Sequence, residues 1–275
     1  MVLKALKAEK VCIYLAVILV TSLMSFPVFW MFLNAFKSEE TIFKPLDFSS
    51  LTFKFIITAL TDRMFLIQLR NSIIISLGTV ILTLISSLTL GYVLARLRFK
   101  GKTLISRLAI FTYLIPASFL VVPIFVLAIK YGVYNSFLAV IFVDSAFASP
   151  YCILVTREYV RSVPVEIEEA AQIDGASRFI IFFKILLPLI APLIAAISMF
   201  AFIYSWNEYL YVIALLSTEE QFTAPVGIAG LLGSDIIPWG KLFAMSTIFS
   251  LPVMIFYLFV EKYVVTGLTL GAVKR

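Results

Sequence analysis

Residues 157–185 read REYVRSVPVEIEEAAQIDGASRFIIFFKI, and long apolar runs flank them on both sides. A segment that only joined two membrane spans would be short and polar. This one carries the signals of two short helices around a glycine turn. Pro164 followed by Glu166, Glu168 and Glu169 marks a helix start, because acidic side chains favour the first turn. Ile167, Ala170, Ala171 and Ile173 give that helix a small apolar face. Gly175 can adopt the positive φ that stops a helix, and Ser177 can cap the next one. The second piece, 178–185, is aromatic and aliphatic (Phe179, Ile180, Phe182, Phe183), and Pro188 opens the apolar run beyond it. A helix resting on lipid headgroups suits 178–185. It suits 166–174 poorly, since anionic lipid repels Glu166, Glu168, Glu169 and Asp174. A protein partner with a groove fits both halves better.

Outward from this loop the chain is overwhelmingly hydrophobic. Of 275 residues, 62% are hydrophobic and only 14% charged, with mean hydropathy +1.06. Soluble domains run to roughly 45–50% apolar and about 25% charged residues, so this is an integral membrane protein. A helical span takes about 20 mostly apolar residues. Such stretches run at about 11–33, 71–95, 104–129, 137–156, 186–212 and 242–263. The first is too long for a signal-peptide core and has no small-residue cleavage site, so it reads as a retained anchor. The expected fold is all-α, a polytopic membrane protein of six transmembrane helices with a cytoplasmic helix-turn-helix. Its expected parts are a short N-terminus at 1–10, the first span at 11–33 and an extracytoplasmic segment at 34–70. A five-helix core at 71–263 and a tail at 264–275 complete it. The segment 34–70 has room for a small cap or a helix lying along the membrane surface, with aromatic clusters that include Phe43, Phe48, Phe53, Phe55 and Phe65.

The net charge of +6 has a topological explanation. Lys4, Lys7 and Lys10, then Arg96, Arg98, Lys100, Lys102 and Arg107, then Arg157, Arg161, Arg178 and Lys184, and finally Lys262, Lys274 and Arg275 all fall on one side of a six-span chain. The opposite side has fewer basic residues, mostly within 34–70, where Glu39, Glu40, Asp47 and Asp62 offset them. Cytoplasmic loops collect Lys and Arg, which places both termini in the cytoplasm and makes a nucleic-acid partner unnecessary.

The chain has no His, which excludes Ser-His and Cys-His catalysis, two-His zinc helices and imidazole proton relays. Cys12 and Cys152 lie in apolar runs, where a thiol behaves as a small hydrophobe. Gly101-Lys102-Thr103 matches the end of a phosphate-binding loop, but the required first glycine falls on Arg96 and no strand precedes it. Energy for any active transport must come from a partner.

Glu169-Ala170-Ala171, three residues, Gly175, nine residues, Ile185, one residue and Leu187-Pro188 resemble the EAA motif of permease subunits in binding-protein-dependent ABC importers. Val163-Pro164 and Ile173-Asp174-Gly175-Ala176-Ser177 are similar to the longer form of this loop in carbohydrate permeases. So are Gly91-Tyr92-Val93-Leu94-Ala95-Arg96 with Phe99 and Gly101, Trp206-Asn207-Glu208-Tyr209, Trp239-Gly240 and the tail from Gly267 to Lys274. The tail is similar to that of the maltose-transporter-like inner permease. The resemblance implies a type I importer fold in which loop 157–188 docks on an ATPase through Glu169, Ala170, Ala171, Asp174, Gly175, Leu187 and Pro188. It also implies a second permease subunit, two ATP-binding cassette subunits that hold the ATP and Mg, an extracytoplasmic binding protein, and a sugar as cargo. No cofactor belongs to this chain, and the tail around Gly271 is implied to reach the ATPase dimer.

Ionisable and amide groups within spans usually face a bundle interior or a wet path. Asp144, Asn207 and Glu208 are therefore candidates for the pathway or its gate. For Glu208 the alternatives are lining the pathway, holding an outer gate, or pairing with a cation such as Lys241. For Asp144 the competing role is a hydrogen bond between helices. Ser72, Ser76, Thr79, Thr83 and Ser86 form a helical stripe suited to close helix packing. Two other functions stay open on the residues: the same scaffold carrying glycerol phosphate or a polyol, and an ion-coupled carrier working alone. The second conflicts with the loop and with the scarcity of paired intramembrane charges.

Overall fold

Helices fill each of the six apolar stretches in the computed structural model, which describes residues 2–44 and 50–272. The first, α1 (Val2–Asn34), leads through an isolated bridge between Lys37 and Leu51 to α2 (Lys54–Thr61) and α3 (Arg63–Arg96). Next come α4 (Lys102–Leu114), a 3-10 turn at Ala117–Leu120, α5 (Val121–Lys130) and α6 (Phe137–Ser162). The loop region supplies α7 (Glu166–Ile173) and α8 (Arg178–Leu189), and then follow α9 (Ala191–Trp206), α10 (Leu210–Leu215), α11 (Ala224–Gly230) and α12 (Trp239–Ala272). No strand occurs among the described residues. Asp47, Phe48, Lys274 and Arg275 lie outside them.

Four of these helices are long and apolar enough to cross a membrane alone, and two bent pairs raise the number to six. The bends fall where the backbone loses its helical ladder. Between α4 and α5 the chain breaks at Ile115 and Pro116, both extended. Between α8 and α9 it turns by 79° at Ile190, with Pro192 in the first turn of the new helix, where the missing N–H costs nothing. The fifth apolar stretch therefore breaks at Ile190, and Pro188 lies in the helix before the break. Two other boundaries shift. The second span starts at Arg63 because the Phe65 N–H donates to the Asp62 carboxylate at 3.0 Å, an N-cap. The fourth runs to Ser162, so residues 157–162 extend the span and the loop proper starts at Val163. The C-terminal segment continues α12 without a break to Ala272.

Two compact units divide the chain. In the unit made of 1–65 and 228–251, Lys241 pairs with Asp62 at 2.7 Å and the Phe43 ring meets Trp239 edge-on. Phe55 lies so close to Gly240 that a Cβ there would come within 2.4 Å of the ring. The Lys37 ammonium, fully buried, donates to the Lys44 carbonyl at 2.8 Å and stands over the Trp30 ring.

In the unit made of 66–227 and 252–275 two core clusters lie among the described residues. Ile75, Val140, Tyr211, Val212 and Leu215 tie α3, α6 and α10 together. Cys152, Val160, Leu186, Ile190 and Leu193 tie α6 to the α8–α9 bend, so the Cys152 thiol does pack as a small hydrophobe. Small residues bring α3 and α6 into near contact. A Cβ on Gly91 would lie 2.5 Å from the Thr156 methyl, and the Ser86 and Ser149 hydroxyls meet at 2.7 Å. Along the hydroxyl stripe Ser72, Ser76, Thr79 and Thr83 are buried. The stripe is a packing face, as small polar residues in membrane helices usually are.

Candidate functional site

The loop geometry follows from its sequence almost residue by residue. Glu166, Glu168 and Glu169 occupy the first turn of α7. Gly175 takes φ +84. Its N–H bonds the Gln172 carbonyl at 3.0 Å and the Ala176 N–H bonds the Ala171 carbonyl at 2.9 Å. This is a Schellman stop, in which the left-handed residue lets two following amides satisfy orphan carbonyls. The Ser177 hydroxyl then accepts from the Ile180 N–H at 3.3 Å and caps α8. Through Ile181–Leu186 that helix widens to a π-helix, a conformation that recurs at functional positions.

The orientation of α7 inverts the usual amphipathic rule. Glu168 is its buried residue, only 4% exposed. Ile167, Ala170 and Ile173 face outward, with Ile173 at 87% exposure. A buried carboxylate needs a partner to offset the loss of water, and α3 provides it. The Arg96 Nε donates to Glu168 Oε1 at 2.6 Å, the Tyr92 hydroxyl to Oε2 at 3.1 Å, and a second Arg96 nitrogen to the Val163 carbonyl at 2.8 Å. Tyr92 and Arg96 stand one helical turn apart, on one face of α3. In the sequence Arg96 reads as topological charge and as the end of the Gly91–Arg96 similarity, with no sign of its partner 72 residues away. The signal available was the Tyr92–Arg96 spacing together with one acidic residue out of step with the apolar side of α7.

Glu169, Ala170, Asp174 and Gly175 are exposed on this loop and Ala171 is half-buried. Leu187 and Pro188 lie at the far end of α8, with Leu187 against the core around Leu186 and Ile190. The loop thus presents one outward face whose root is fixed to α3. The Gly101-Lys102-Thr103 turn has a different use. Gly101 has φ +96, and the Lys102 ammonium donates to the Leu97 carbonyl at 3.1 Å, closing the C-terminal end of α3 where a cation complements the helix dipole.

A family model, described as "Binding-protein-dependent transport system inner membrane component", matches residues 87–269, which contain both the loop and its anchor. The chain belongs to this permease family. It is 33% identical to the diacetylchitobiose uptake system permease protein DasC of Streptomyces coelicolor, covering 94% of this chain and 95% of that one. It is 34% identical to the trehalose/maltose transport system permease protein MalG of Thermococcus litoralis, covering 97% of each. A solved bacterial ABC transporter that imports the acidic polysaccharide alginate contains a chain of the same fold, with TM-score 0.78 and 22% identity over 94% of this chain and 96% of that one.

The intramembrane polar groups of the permease separate into two settings. Asp144, on α6, is fully buried and accepts from the Ser205 hydroxyl on α9 at 2.5 Å. Ser205 in turn accepts from Thr79 on α3 at 3.2 Å, so one chain of hydrogen bonds crosses three spans. Glu208 is half-buried, and its carboxylate accepts from the Tyr211 N–H at 2.7 Å, capping α10. The Asn207 amide donates to the Ile203 carbonyl at 2.8 Å and finishes α9. Lys241 pairs with Asp62 at the start of α3.

Proposed function

We propose that this chain is the transmembrane permease subunit of an ATP-driven ABC importer for a sugar or oligosaccharide. It forms half of the translocation pathway and docks on a separate ATPase through residues 157–188. The observation that carries this is the inverted α7: its apolar side chains face out and its buried side is held by an ion pair. A lone loop helix gains nothing from exposing Ile173, whereas a helix seated in another subunit gains about 1.5–3 kcal/mol from burying it. Glu169, Ala170, Ala171, Asp174 and Gly175 form the contact, with the small alanines allowing close approach. Leu187 and Pro188 carry its movement into the α8–α9 bend. Asn207, Glu208 and Asp144 stand nearest the pathway or its gate among the spanning polar residues.

The carbohydrate assignment rests on the relatives, one a diacetylchitobiose permease and the other a trehalose/maltose permease. The assembly contains a second permease subunit, two ATPase subunits that bind ATP and Mg, and an extracytoplasmic binding protein, the last in keeping with the family description. This chain performs no chemistry of its own. Both termini lie in the cytoplasm, on the side that collects the basic residues. ATP-driven closure of the ATPases pulls α7, and the Arg96–Glu168 tie passes the displacement to α3. The test is to purify the protein with its neighbours and to measure uptake in vesicles. An ATPase subunit should co-purify and uptake should require ATP; uptake driven by an ion gradient without ATP rules the proposal out.

A further inference from the structure

Beside the loop anchor, a cleft of about 570 Å³ opens between the end of α3 and the start of α8. Val93, Leu97 and Phe99 form its apolar wall, and Arg96, Arg98 and Arg178 its cationic one. Arg96 is committed to Glu168 and the Val163 carbonyl. Arg98 and Arg178 are exposed and make no ion pair or hydrogen bond among the described residues. Two unpaired guanidiniums line the same cleft, and planar guanidiniums suit an anion with several acceptor oxygens, phosphate in particular. The apolar wall adds a second requirement, since a fully hydrated anion gains nothing from Val93, Leu97 and Phe99.

Position selects among anions. The cleft lies where a spanning helix ends, next to the α8 segment whose Phe179 and Phe183 rings are exposed and meet at a tilt, with centroids 4.4 Å apart. Exposed aromatics beside basic residues at a span end are the composition of an interfacial, headgroup-level segment. The geometry points to a phospholipid site: the phosphate of an anionic inner-leaflet lipid between Arg98 and Arg178, its glycerol and first methylenes against the apolar wall. The loop then has two partners on two faces, a protein on α7 and a lipid on the first turn of α8. Occupancy of the cleft would brace α8 against α3 and set how freely the loop moves. This inference rests on the cytoplasmic orientation and docking role proposed above.

The assembly, purified with its ATPase and reconstituted in phosphatidylcholine nanodiscs, is exposed to a trace of phosphatidylglycerol carrying a photoactivatable group near the headgroup. Crosslinks should concentrate in the peptides containing Val93–Phe99 and Arg178–Phe183. Each of Arg98→Gln and Arg178→Gln should lower that labelling about fivefold, and the Arg98→Lys/Arg178→Lys pair should retain most of it. Inorganic phosphate should fail to compete; competition by phosphate would replace the lipid with a free anion. Labelling unchanged by the Gln variants, or equal with a photoactivatable phosphatidylcholine, would overturn the lipid site. So would a benzophenone at Phe99 that captures the ATPase instead. Co-purification of the ATPase is scored in the same samples, so loss of lipid labelling with the ATPase retained leaves the docking proposal standing.

Discussion

Arg96 and Glu168 meet at 2.6 Å with 13% and 6% of their side chains exposed, and this pair fastens the loop to the end of α3. The carboxylate also receives the Tyr92 hydroxyl, and the guanidinium also serves the Val163 carbonyl. Removing one member of a buried pair leaves the other charge without compensation, at a cost of about 3–5 kcal/mol. Glu168→Ala should therefore release α7, increase hydrogen exchange across 163–175 and uncouple ATP hydrolysis from transport. Arg96→Met/Glu168→Leu removes both charges and should recover most of the local stability. A double variant as exchange-labile as Glu168→Ala alone would show that the pair is not what holds the loop.

Within this chain Gly175 is needed for its conformation and not for space. A Cβ there would meet nothing within 4 Å, while φ is +84. The expected order of ATPase association is Gly175, then Asn, then Ala, with Asp lowest because it adds charge to the contact face. An L-residue in the left-handed region costs about 1–2 kcal/mol, less for Asn. Gly175→Asp should abolish transport and ATPase association and leave membrane insertion intact. Association measured by co-purification that is lost equally in Asn and Ala would point to steric contact with the partner rather than to the turn.

The opposite case is Gly91, whose Cβ would lie 2.5 Å from the Thr156 methyl and 3.2 Å from the Ile153 carbonyl. Gly91→Ala should push α3 from α6 and cost about 1–3 kcal/mol, the usual range for overpacking. Gly91→Ala combined with Thr156→Gly removes the obstructing atoms and should regain part of that loss, read as thermal unfolding in detergent.

The difference between these two glycines shows how much of the molecule the sequence carries. Gly175 and Ser177 act on their immediate neighbours, so their roles are legible from the local pattern, as are the six apolar stretches. Glu168 and Gly91 act on residues 72 and 65 positions away, and nothing local announces such partners. Charge counting assigned Arg96 to topology and offered Lys241 only as one of several readings of Glu208, because a count carries no distances. Pro116 and Pro192 mark places where a helix can bend, but not that the chain bends there. Proline in a membrane helix either kinks or is absorbed, and packing decides which; Pro150 and Pro252 remain inside unbroken helices.

Asp144 and Ser205 offer a direct choice between a packing role and a pathway role. Hydrogen bonds between membrane helices average about 0.6 kcal/mol and reach about 1.7. If the pair only joins α6 to α9, Asp144→Asn should leave the sugar concentration for half-maximal uptake unchanged, and a double-mutant cycle with Ser205→Ala should give a coupling energy of that size. A shift in half-maximal concentration with unaltered thermal stability would instead place Asp144 on the path of the cargo.

Asp62 gives the start of α3 a pH signature. Burial raises its pKa, but the Lys241 ammonium and the backbone amides at the start of α3 outweigh burial, and the carboxyl sits below its usual value. A group depressed in the folded state adds stability that is present above its unfolded pKa of about 3.9 and is lost as pH falls through the lower folded value. Hydrogen exchange around residues 54–65 should thus stay constant from neutral pH to about 4 and rise in more acidic buffer, after correction for the intrinsic rate. Asp62→Asn should remove this acid-dependent step and, through the lost ion pair, loosen the start of α3 by up to about 1 kcal/mol at neutral pH, while the Asn amide oxygen keeps the cap. An acid step that persists in Asp62→Asn would assign the effect to another carboxylate of this unit.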